Sequence, residues 1–309
     1  MMIGIDFIGR LGNQMFTYAF ARTLVTPDKE AKLFANFKRC GDHKDAGWGD
    51  QLCYFNVLPY TTESSDLVLK YGTFYQRVFY AVYVICTKVP FIVKSDALMY
   101  KIEHGLRKIG IHITGAADAA YSMSPTNKDC FVRGYFQDRH FFDSIRPILL
   151  KEFTPKSPPL AHNQELYQAI SQPNSVCVSV RRGDYLSATY KKDFHVCGPD
   201  YYTNAIHTIR EKVANPIFVF FSDDIQWVRT NMSVPGCQCY YESGNDPVWE
   251  KLRLMYNCHH FIIPNSTFAW WAQYLGNRQG KMVICPSQWF ANPNWHSNLI
   301  KDDFIFIRL

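Results

Sequence analysis

Two adjacent arginines follow a predicted strand and have the chemistry needed to hold a diphosphate. The strand is predicted at residues 175–180, and Arg181 and Arg182 come directly after it, followed by Gly183 and Asp184. A planar guanidinium binds phosphate oxygens through two parallel, charge-assisted hydrogen bonds. The alternative is a surface arginine pair with Asp184 as a local ion-pair partner. The position at a strand end favours the binding role.

Two carboxylates follow the next predicted strand, at residues 217–221. Asp223 and Asp224 can accept hydrogen bonds from ribose hydroxyls or from the N–H groups of guanine. They can equally cap the helix predicted at residues 225–231, because aspartate is a preferred cap residue. Both roles stay open, and they can be divided between the two residues.

A third strand end leads into a helix that could hold a phosphate. The strand is predicted at 260–263, and Ser266 is predicted to cap a helix at 267–275. A helix N-terminus offers free amides and the positive end of the helix dipole, and the Ser266 and Thr267 hydroxyls add donors. Trp270 and Trp271 are interpreted as core anchors rather than sugar platforms.

The chain contains no D-x-D triplet, the short acidic motif with which many nucleotide-sugar enzymes hold a divalent cation. The charge of a leaving diphosphate would then be met by arginine and by amide dipoles. We therefore expect an enzyme that needs no metal and no other cofactor.

The elements that carry these residues form a regular alternation in the second half of the chain. Further strands are predicted at 237–241 and 282–285, and further helices at 163–171, 199–213 and 247–257, the last with Asp246 as cap and Pro247 as first helical residue. Apolar strands that alternate with helices predict a parallel sheet covered on both faces. Ligands bind beyond the carboxyl ends of such strands.

The first half of the chain is harder to interpret. A strand at residues 2–7, a glycine turn at 9–14 and a helix at 15–24 are predicted, but the topology of 26–129 cannot be derived. A proline-rich stretch at 155–159 marks the boundary between a domain at 1–155 and a domain at 156–309. The fold class is therefore α/β.

Composition excludes several classes of protein. The chain has 309 residues, a net charge of +6 and a pI near 8.7, but its basic residues are scattered, so no nucleic-acid partner is expected. A phosphorylated small molecule or an anionic membrane surface fits this charge better. The ten cysteines show no C-x-x-C pair, and no signal peptide is recognised, which favours a cytoplasmic location. The apolar stretch 74–93 is interrupted by polar residues and is interpreted as a buried or interfacial helix, suited to peripheral contact with the inner face of the membrane.

Four segments together resemble glycosyltransferase family 11, the α-1,2-fucosyltransferases. They are residues 9–16 (GRLGNQMF), 178–185 (VSVRRGDY), 221–224 (FSDD) and 265–271 (NSTFAWW), and residues 134–137 (GYFQ) are also similar to a family segment. The resemblance implies a GT-B architecture of two Rossmann-like domains facing across a cleft, with an acceptor-side N-terminal domain and a donor-binding C-terminal domain. It implies inverting transfer of L-fucose from GDP-fucose to the 2-hydroxyl of galactose in an oligosaccharide or lipid-linked glycan. The oligomeric state is left open.

The resemblance also implies roles for particular residues. Arg181 would hold the β-phosphate with help from Ser266 and Thr267, Asp223 would serve donor recognition, and Asn13 would face the reacting centre. The full set of predicted donor-binding residues is Gly12, Ser179, Arg181, Arg182, Asp223, Asp224, Ser266 and Thr267. Ser179 stands where the family often has histidine, which leaves recognition of the base open.

The expected mechanism is a single displacement with an oxocarbenium-like transition state. The predicted catalytic residues are Arg181, Asn13 and Asp184, but the general base is not identified, and Asp6, Asp138 and Asp184 are the carboxylate candidates. Two alternatives are a GT-B transferase that uses another GDP-sugar and a nucleotide-sugar-binding module without catalytic activity.

Overall fold

The computed structural model divides the chain into two compact units, Met1–Glu152 and Phe153–Leu309. It describes residues 1–25, 30–41, 48–114, 128–183, 191–194, 197–292, 295 and 297–308. The predicted boundary lies three residues beyond this division, between 155 and 156. The acceptor and donor roles of the two domains stay predictions.

The first unit is built on a parallel sheet of five strands. These are β1 (Met2–Ile8), β2 (Lys32–Arg39), β3 (Tyr60–Thr62), β4 (Ile111–Thr114) and β5 (Cys130–Gly134). Their order is β3-β2-β1-β5-β4. Residues 3–7 of β1 are all buried, because helices cover both faces of the sheet.

The helices of the first unit are α1 (Leu11–Thr23), α2 (Leu67–Tyr71), α3 (Phe74–Cys86), α4 (Pro90–Val93), α5 (Asp96–Lys108) and α6 (Arg146–Glu152). Helix α3 begins with a complete capping box, in which the Thr73 side chain accepts from the Gln76 amide and the Gln76 side chain accepts from the Thr73 amide. The inward side of α3 packs on a cluster that includes Leu67, Leu106 and Phe131.

The second unit is built on a parallel sheet of six strands. These are β6 (Ser175–Val180), β7 (Ile217–Ser222), β8 (Gln238–Tyr241), β9 (His260–Ile262), β10 (Val283–Pro286) and β11 (Ile305–Ile307). Their order is β11-β10-β9-β6-β7-β8. Since the chain moves outward from β6 through β7 to β8 and then returns to the other side of β6, the strand order reverses between β6 and β9.

The helices of the second unit are α7 (Gln164–Ser171), α8 (Lys191–Phe194), α9 (Pro199–Lys212), α10 (Ile225–Asn231), α11 (Val248–Tyr256) and α12 (Thr267–Leu275). The α/β class is therefore confirmed, as is the predicted alternation in the second half of the chain. The described residues also include four short 3₁₀ segments, and one of them, Arg139–Phe141, follows β5 in the first unit and bears on the site below.

Two local predictions are wrong. Helix α1 begins at Leu11, so Gly12 and Asn13 lie in its first turn rather than in a glycine turn before it. Pro247, not Asp246, is the cap of α11. The Asp246 carboxylate instead accepts from Asn163 at 2.8 Å and bonds the His162 ring at 2.7 Å, so a tertiary contact replaces the local cap.

The apolar stretch 74–93 forms two helices, α3 and α4, joined by a short connection. Among the described residues, none of the helices combines the length and the hydropathy that a membrane crossing requires.

Candidate functional site

The strand register of the second sheet brings three of the predicted segments to one edge. Val180 of β6 is paired with Ser222 of β7, and Val178 of β6 is paired with Ile262 of β9. Arg181 therefore leaves the sheet beside Asp223 on one side and beside the segment that leads to Ser266 on the other. Because the strand order reverses between β6 and β9, Arg181 and Ser266 flank the position where open α/β sheets bind ligands.

Arg181 is paired with Asp223. The Arg181 Nη1 atom lies 3.0 Å from Asp223 Oδ2, and the two side chains are only 21% and 22% exposed. The other oxygen of Asp223 accepts the Arg182 amide at 2.9 Å. One carboxylate thus fixes both the backbone after β6 and the guanidinium that the sequence predicts to bind a diphosphate.

Gly183 allows this close approach. A Cβ atom placed on Gly183 would lie 2.5 Å from Asp223 Oδ2, closer than such contacts occur, so any larger residue would displace the carboxylate. Sequence reasoning did not single out this glycine. The available signal was its position directly after two arginines at a strand end, because glycine there allows another group to approach the backbone closely.

Arg182 has different partners. Its Nε atom lies 3.2 Å from Asp224 Oδ2, and its guanidinium carbon lies 3.5 Å from the centre of the Trp227 ring. The Asp224 Oδ1 atom accepts the Trp227 amide at 3.3 Å and so caps α10. Asp224 therefore takes the capping role, and Asp223 holds the turn after β6. The role of Asp223 in donor recognition stays a prediction.

A cavity of about 330 Å³ opens beside these arginines. It is lined by both of them, by the beginning of α9 and by the α10 residues Trp227 and Asn231. This volume is at the lower end of the range for small-molecule sites. Arg181 and Arg182 both line this cavity, although neighbouring residues of an extended strand point to opposite faces.

Two buried tyrosines of α9 hold the strand ends in place. The Tyr202 hydroxyl donates to the Ser179 carbonyl at 3.2 Å, and the Tyr201 hydroxyl donates to the Ile263 carbonyl at 2.5 Å. Burial raises the pKa of both phenols well above the ordinary value, so both remain hydrogen-bond donors. Ser179 itself is buried, one residue before the end of β6.

Ser266 is the cap residue of α12, as predicted, but its hydroxyl makes no capping bond to the helix. Thr267 is the first helical residue. Asn265 is buried and donates to the Phe194 and Trp289 carbonyls at 2.7 and 2.8 Å, which fixes the turn before the helix. Trp270 and Trp271 are fully buried, so the prediction that they are core anchors is confirmed.

In the first unit, Asn13 is held by a residue that follows a neighbouring strand. Its Oδ1 atom accepts from Gln137 Nε2 at 3.0 Å. Gly9 precedes α1 with φ of 73°, and a Cβ there would lie 2.6 Å from Asn13 Nδ2. The strand order reverses between β1 and β5, so the Asn13–Gln137 bond spans the switch point of this sheet as well. Gly12 is buried beside it in the first turn of α1.

Two of the three carboxylates considered as general base, Asp6 and Asp138, have structural partners. Asp6 is buried and accepts from Arg133 Nη2 at 2.6 Å. Burial raises the pKa of Asp6, and the Arg133 charge opposes this rise. Asp184 lies outside the described residues.

Asp138 is also buried, but its partner is an imidazole. Asp138 Oδ2 lies 2.9 Å from His140 Nδ1, and Asp138 Oδ1 accepts the His140 amide at 3.0 Å. His140 is partly exposed and follows β5 by a few residues, on the same segment as Gln137. Sequence reasoning missed His140, although the D-x-H spacing was available as a signal.

Within the described residues, no group of three or more histidine, cysteine, aspartate or glutamate side chains has the arrangement of a metal site. The metal-independent mechanism stays a prediction.

Comparison with known proteins gives a family. The family model of Glycosyl transferase family 11 matches residues 99–307, about two thirds of the chain. The chain is 26% identical to the O-antigen biosynthesis glycosyltransferase WbnK of Escherichia coli over 96% of this chain and 97% of that protein.

Two further relatives match over shorter lengths. The chain is 32% identical to an alpha-1,2-colitosyltransferase of Escherichia coli over 53% of this chain and 57% of that protein. It is 33% identical to the galactoside 2-alpha-L-fucosyltransferase Sec1 of Mus musculus over 46% of this chain and 41% of that protein. The chain thus spans about half the length of each of these two relatives.

Among solved structures, the NodZ alpha-1,6-fucosyltransferase soaked with GDP-fucose is similar with a TM-score of 0.51, over 89% of this chain and 92% of that chain. At 12% identity this likeness concerns the fold alone. It supports the predicted GT-B type of α/β fold, with two parallel sheets.

Proposed function

Because this chain belongs to glycosyltransferase family 11, we propose that it transfers L-fucose from GDP-fucose to the 2-hydroxyl of a galactose residue in a glycan, with inversion at the anomeric carbon. The observation that carries this proposal is the position of Arg181 and of the α12 N-terminus on either side of the switch point of the second sheet. Both groups are suited to a diphosphate, the leaving group of a nucleotide sugar.

On the donor side, catalysis would come from charge stabilisation. As the bond between fucose and the β-phosphate breaks, negative charge grows on the phosphate, and groups already oriented toward it lower the barrier. Asp223 holds the Arg181 guanidinium in position before the donor binds. The Ser266 hydroxyl, which does not cap its own helix, is suited to donate to the same phosphate.

On the acceptor side, a hydroxyl must lose its proton as it attacks. His140 is the candidate base that the first unit offers, because the buried Asp138 carboxylate orients its ring through Nδ1 and would stabilise the imidazolium that forms when the ring takes up the proton. Asn13, held by Gln137, is suited to position the acceptor hydroxyl or the sugar. The proposed reaction needs no metal ion, and the diphosphate charge is met by Arg181 and the amides of α12.

The second candidate is the same reaction with a different donor. This donor would be GDP-colitose, and the reason to consider it is the relative named as an alpha-1,2-colitosyltransferase. Colitose is fucose without its 3-hydroxyl group. The two donors present the same diphosphate and the same nucleoside to the second unit, so Arg181 and Asp223 would serve both.

The test is a donor and acceptor panel. We expect GDP release and product formation with GDP-fucose and a galactoside at a rate well above that with GDP-mannose, an α-1,2 linkage in the product, and unchanged activity in excess EDTA. Turnover with GDP-colitose that exceeds turnover with GDP-fucose would establish the second candidate. Comparable turnover with GDP-mannose would contradict both donors, and loss of activity in EDTA that Mn²⁺ restores would contradict the metal-independent mechanism.

A further inference from the structure

Helix α3 and the short helix α4 expose an apolar surface where a globular protein normally has polar residues. Nine large apolar side chains of this region are exposed, and together they are called the α3–α4 apolar face: Phe74, Tyr75, Val78, Phe79, Val82, Ile85, Val89, Phe91 and Val93. Phe74 and Phe91 are the most exposed, at 75% and 78%.

The pattern along α3 shows that these side chains share one side of the helix. At 100° per residue, the six exposed apolar residues between Phe74 and Ile85 fall within an arc of about 140°. The opposite side carries Gln76 and Tyr80, which are buried against the rest of the first unit. A surface helix of a monomeric protein has its polar residues on the outer side, whereas the outer side of α3 is apolar.

Such a surface indicates a binding partner. Soluble monomers rarely expose large continuous apolar patches, and those that do usually bind a protein or a membrane there. Tyrosine and phenylalanine are suited to the interface between lipid headgroups and acyl chains.

The charges of the same region indicate which kind of partner binds there. Residues 71–95 contain Arg77, Lys88 and Lys94 and no acidic residue, and all three basic residues are exposed. Anionic lipid headgroups attract basic residues near the membrane surface, each contributing about 1 kcal/mol.

A second copy of the chain fits this surface less well. In a two-fold symmetric dimer the same patch meets itself, so Lys88 and Lys94 of one copy would face the same basic region of the other. Like charges that lose their water in this way destabilise the contact. An anionic bilayer complements both the apolar and the basic part of the surface.

We propose that the α3–α4 apolar face docks the protein on the surface of an anionic lipid bilayer. The exposed aromatic and aliphatic side chains enter the headgroup region, and Arg77, Lys88 and Lys94 bind the lipid phosphates. Docking requires neither the nucleotide sugar nor the acceptor, so its test is independent of the activity assay. A docked enzyme would meet its glycan acceptor in lipid-linked form.

The test is sedimentation of the full chain with vesicles of phosphatidylcholine alone and of phosphatidylcholine mixed with phosphatidylglycerol. We expect binding to the anionic vesicles that weakens with salt. Phe74→Ser/Phe91→Ser should weaken this binding by about tenfold for each phenylalanine, since each loses the burial of a large apolar side chain. Lys88→Gln/Lys94→Gln should weaken it by about fivefold for each lysine and reduce the preference for anionic vesicles.

The matched control is Phe306→Ser, because Phe306 is 43% exposed but belongs to β11 in the second unit. Thermal melts confirm that each variant is folded, which is expected because the substituted side chains make little contact with the core. Three results would overturn the proposal: no binding to anionic vesicles by the wild type, equal weakening by Phe306→Ser, or a wild-type dimer in light scattering that Phe74→Ser/Phe91→Ser dissociates while vesicle binding is absent. The last result would assign the surface to a second copy instead.

Discussion

Replacing Arg181 with lysine separates the geometry of its guanidinium from its charge. The Arg181 Nη1 atom is 3.0 Å from Asp223, so the planar group is already oriented when a donor arrives. A lysine has one nitrogen, which must be shared between Asp223 and the departing phosphate. Loss of one oriented donor to a developing charge costs about 3 kcal/mol, or roughly a hundredfold in rate.

The stability of the Arg181→Lys variant should change little. The lysine can keep the ion pair with Asp223, and a partly exposed ion pair contributes at most about 1 kcal/mol. A change of that size shifts the Tm of a unit of this length by about 2–4 °C at most. The assay is the initial rate of GDP release with GDP-fucose and a galactoside, with kcat and donor KM measured separately. If the guanidinium acts mainly in the transition state, kcat falls more than KM rises.

Arg182→Lys is the matched control. Arg182 stacks on Trp227 at 3.5 Å and pairs with Asp224, the cap of α10, so its substitution removes a packing contact at a helix start. We expect a Tm lower by about 2–4 °C with most of the turnover retained, since a cation–π contact of this kind contributes about 1 kcal/mol. Near-normal turnover of a folded Arg181→Lys variant would refute the proposed role of Arg181, and equal losses of turnover in both variants would refute the distinction between them.

Two further predictions concern histidines. Burial lowers the pKa of His260 to about 4 from the ordinary 6.5, and its Nδ1 accepts the Met282 amide at 3.1 Å. Between these two pH values the unfolded chain therefore binds a proton that the native chain does not. Thermal melts should show that the free energy of unfolding decreases as the pH falls from 6.5 toward 4, by up to about 1.4 kcal/mol per pH unit. The decrease should be smaller in the His260→Asn variant. His140→Gln should lower kcat by roughly a hundredfold or more with little change in donor KM, as expected for loss of a general base, and unchanged kcat would exclude His140 as that base.

The second sheet could be predicted from the sequence because its strands are buried on both faces. Such strands appear as short, continuous apolar runs, and the helices between them have clear boundaries. The predicted helices at residues 225–231 and 267–275 agree with α10 and α12 to the residue. Strand β11 was missed because it is three residues long and lies at the edge of the sheet, where little apolar pattern is needed.

Beyond its first strand and helix, the first unit could not be predicted, and the reason is physical. Sequence patterns show which side of a helix faces the core by the contrast between an apolar buried side and a polar exposed side, but the exposed side of α3 is apolar and its buried side includes Gln76. The stretch 74–93 was therefore interpreted as a buried or interfacial helix, without an indication of which side is exposed. The capping prediction for Asp246 failed for a different reason. Its carboxylate bonds His162 and Asn163, more than 80 residues earlier in the chain, and therefore does not cap α11.

Sequence reasoning placed the candidate residues that follow β6, β7 and β9 at one sheet edge but could not assign their partners. Parallel strands bring their carboxyl ends together, so proximity of the segments after β6 and β7 follows from the topology alone. Which carboxylate pairs with which arginine depends on the register of these strands and on the space left by Gly183. Neither is visible in the sequence.

These pairings also bear on how a diphosphate would be attracted. Arg181 and Arg182 are matched by Asp223 and Asp224, so the formal charges of the cluster sum to zero and it exerts little long-range attraction on an anion. Its contribution must come at contact, through oriented hydrogen bonds that strengthen as charge moves onto the phosphate. A site of this kind favours the departing diphosphate over the bound donor, which is the condition for lowering the barrier rather than only tightening binding.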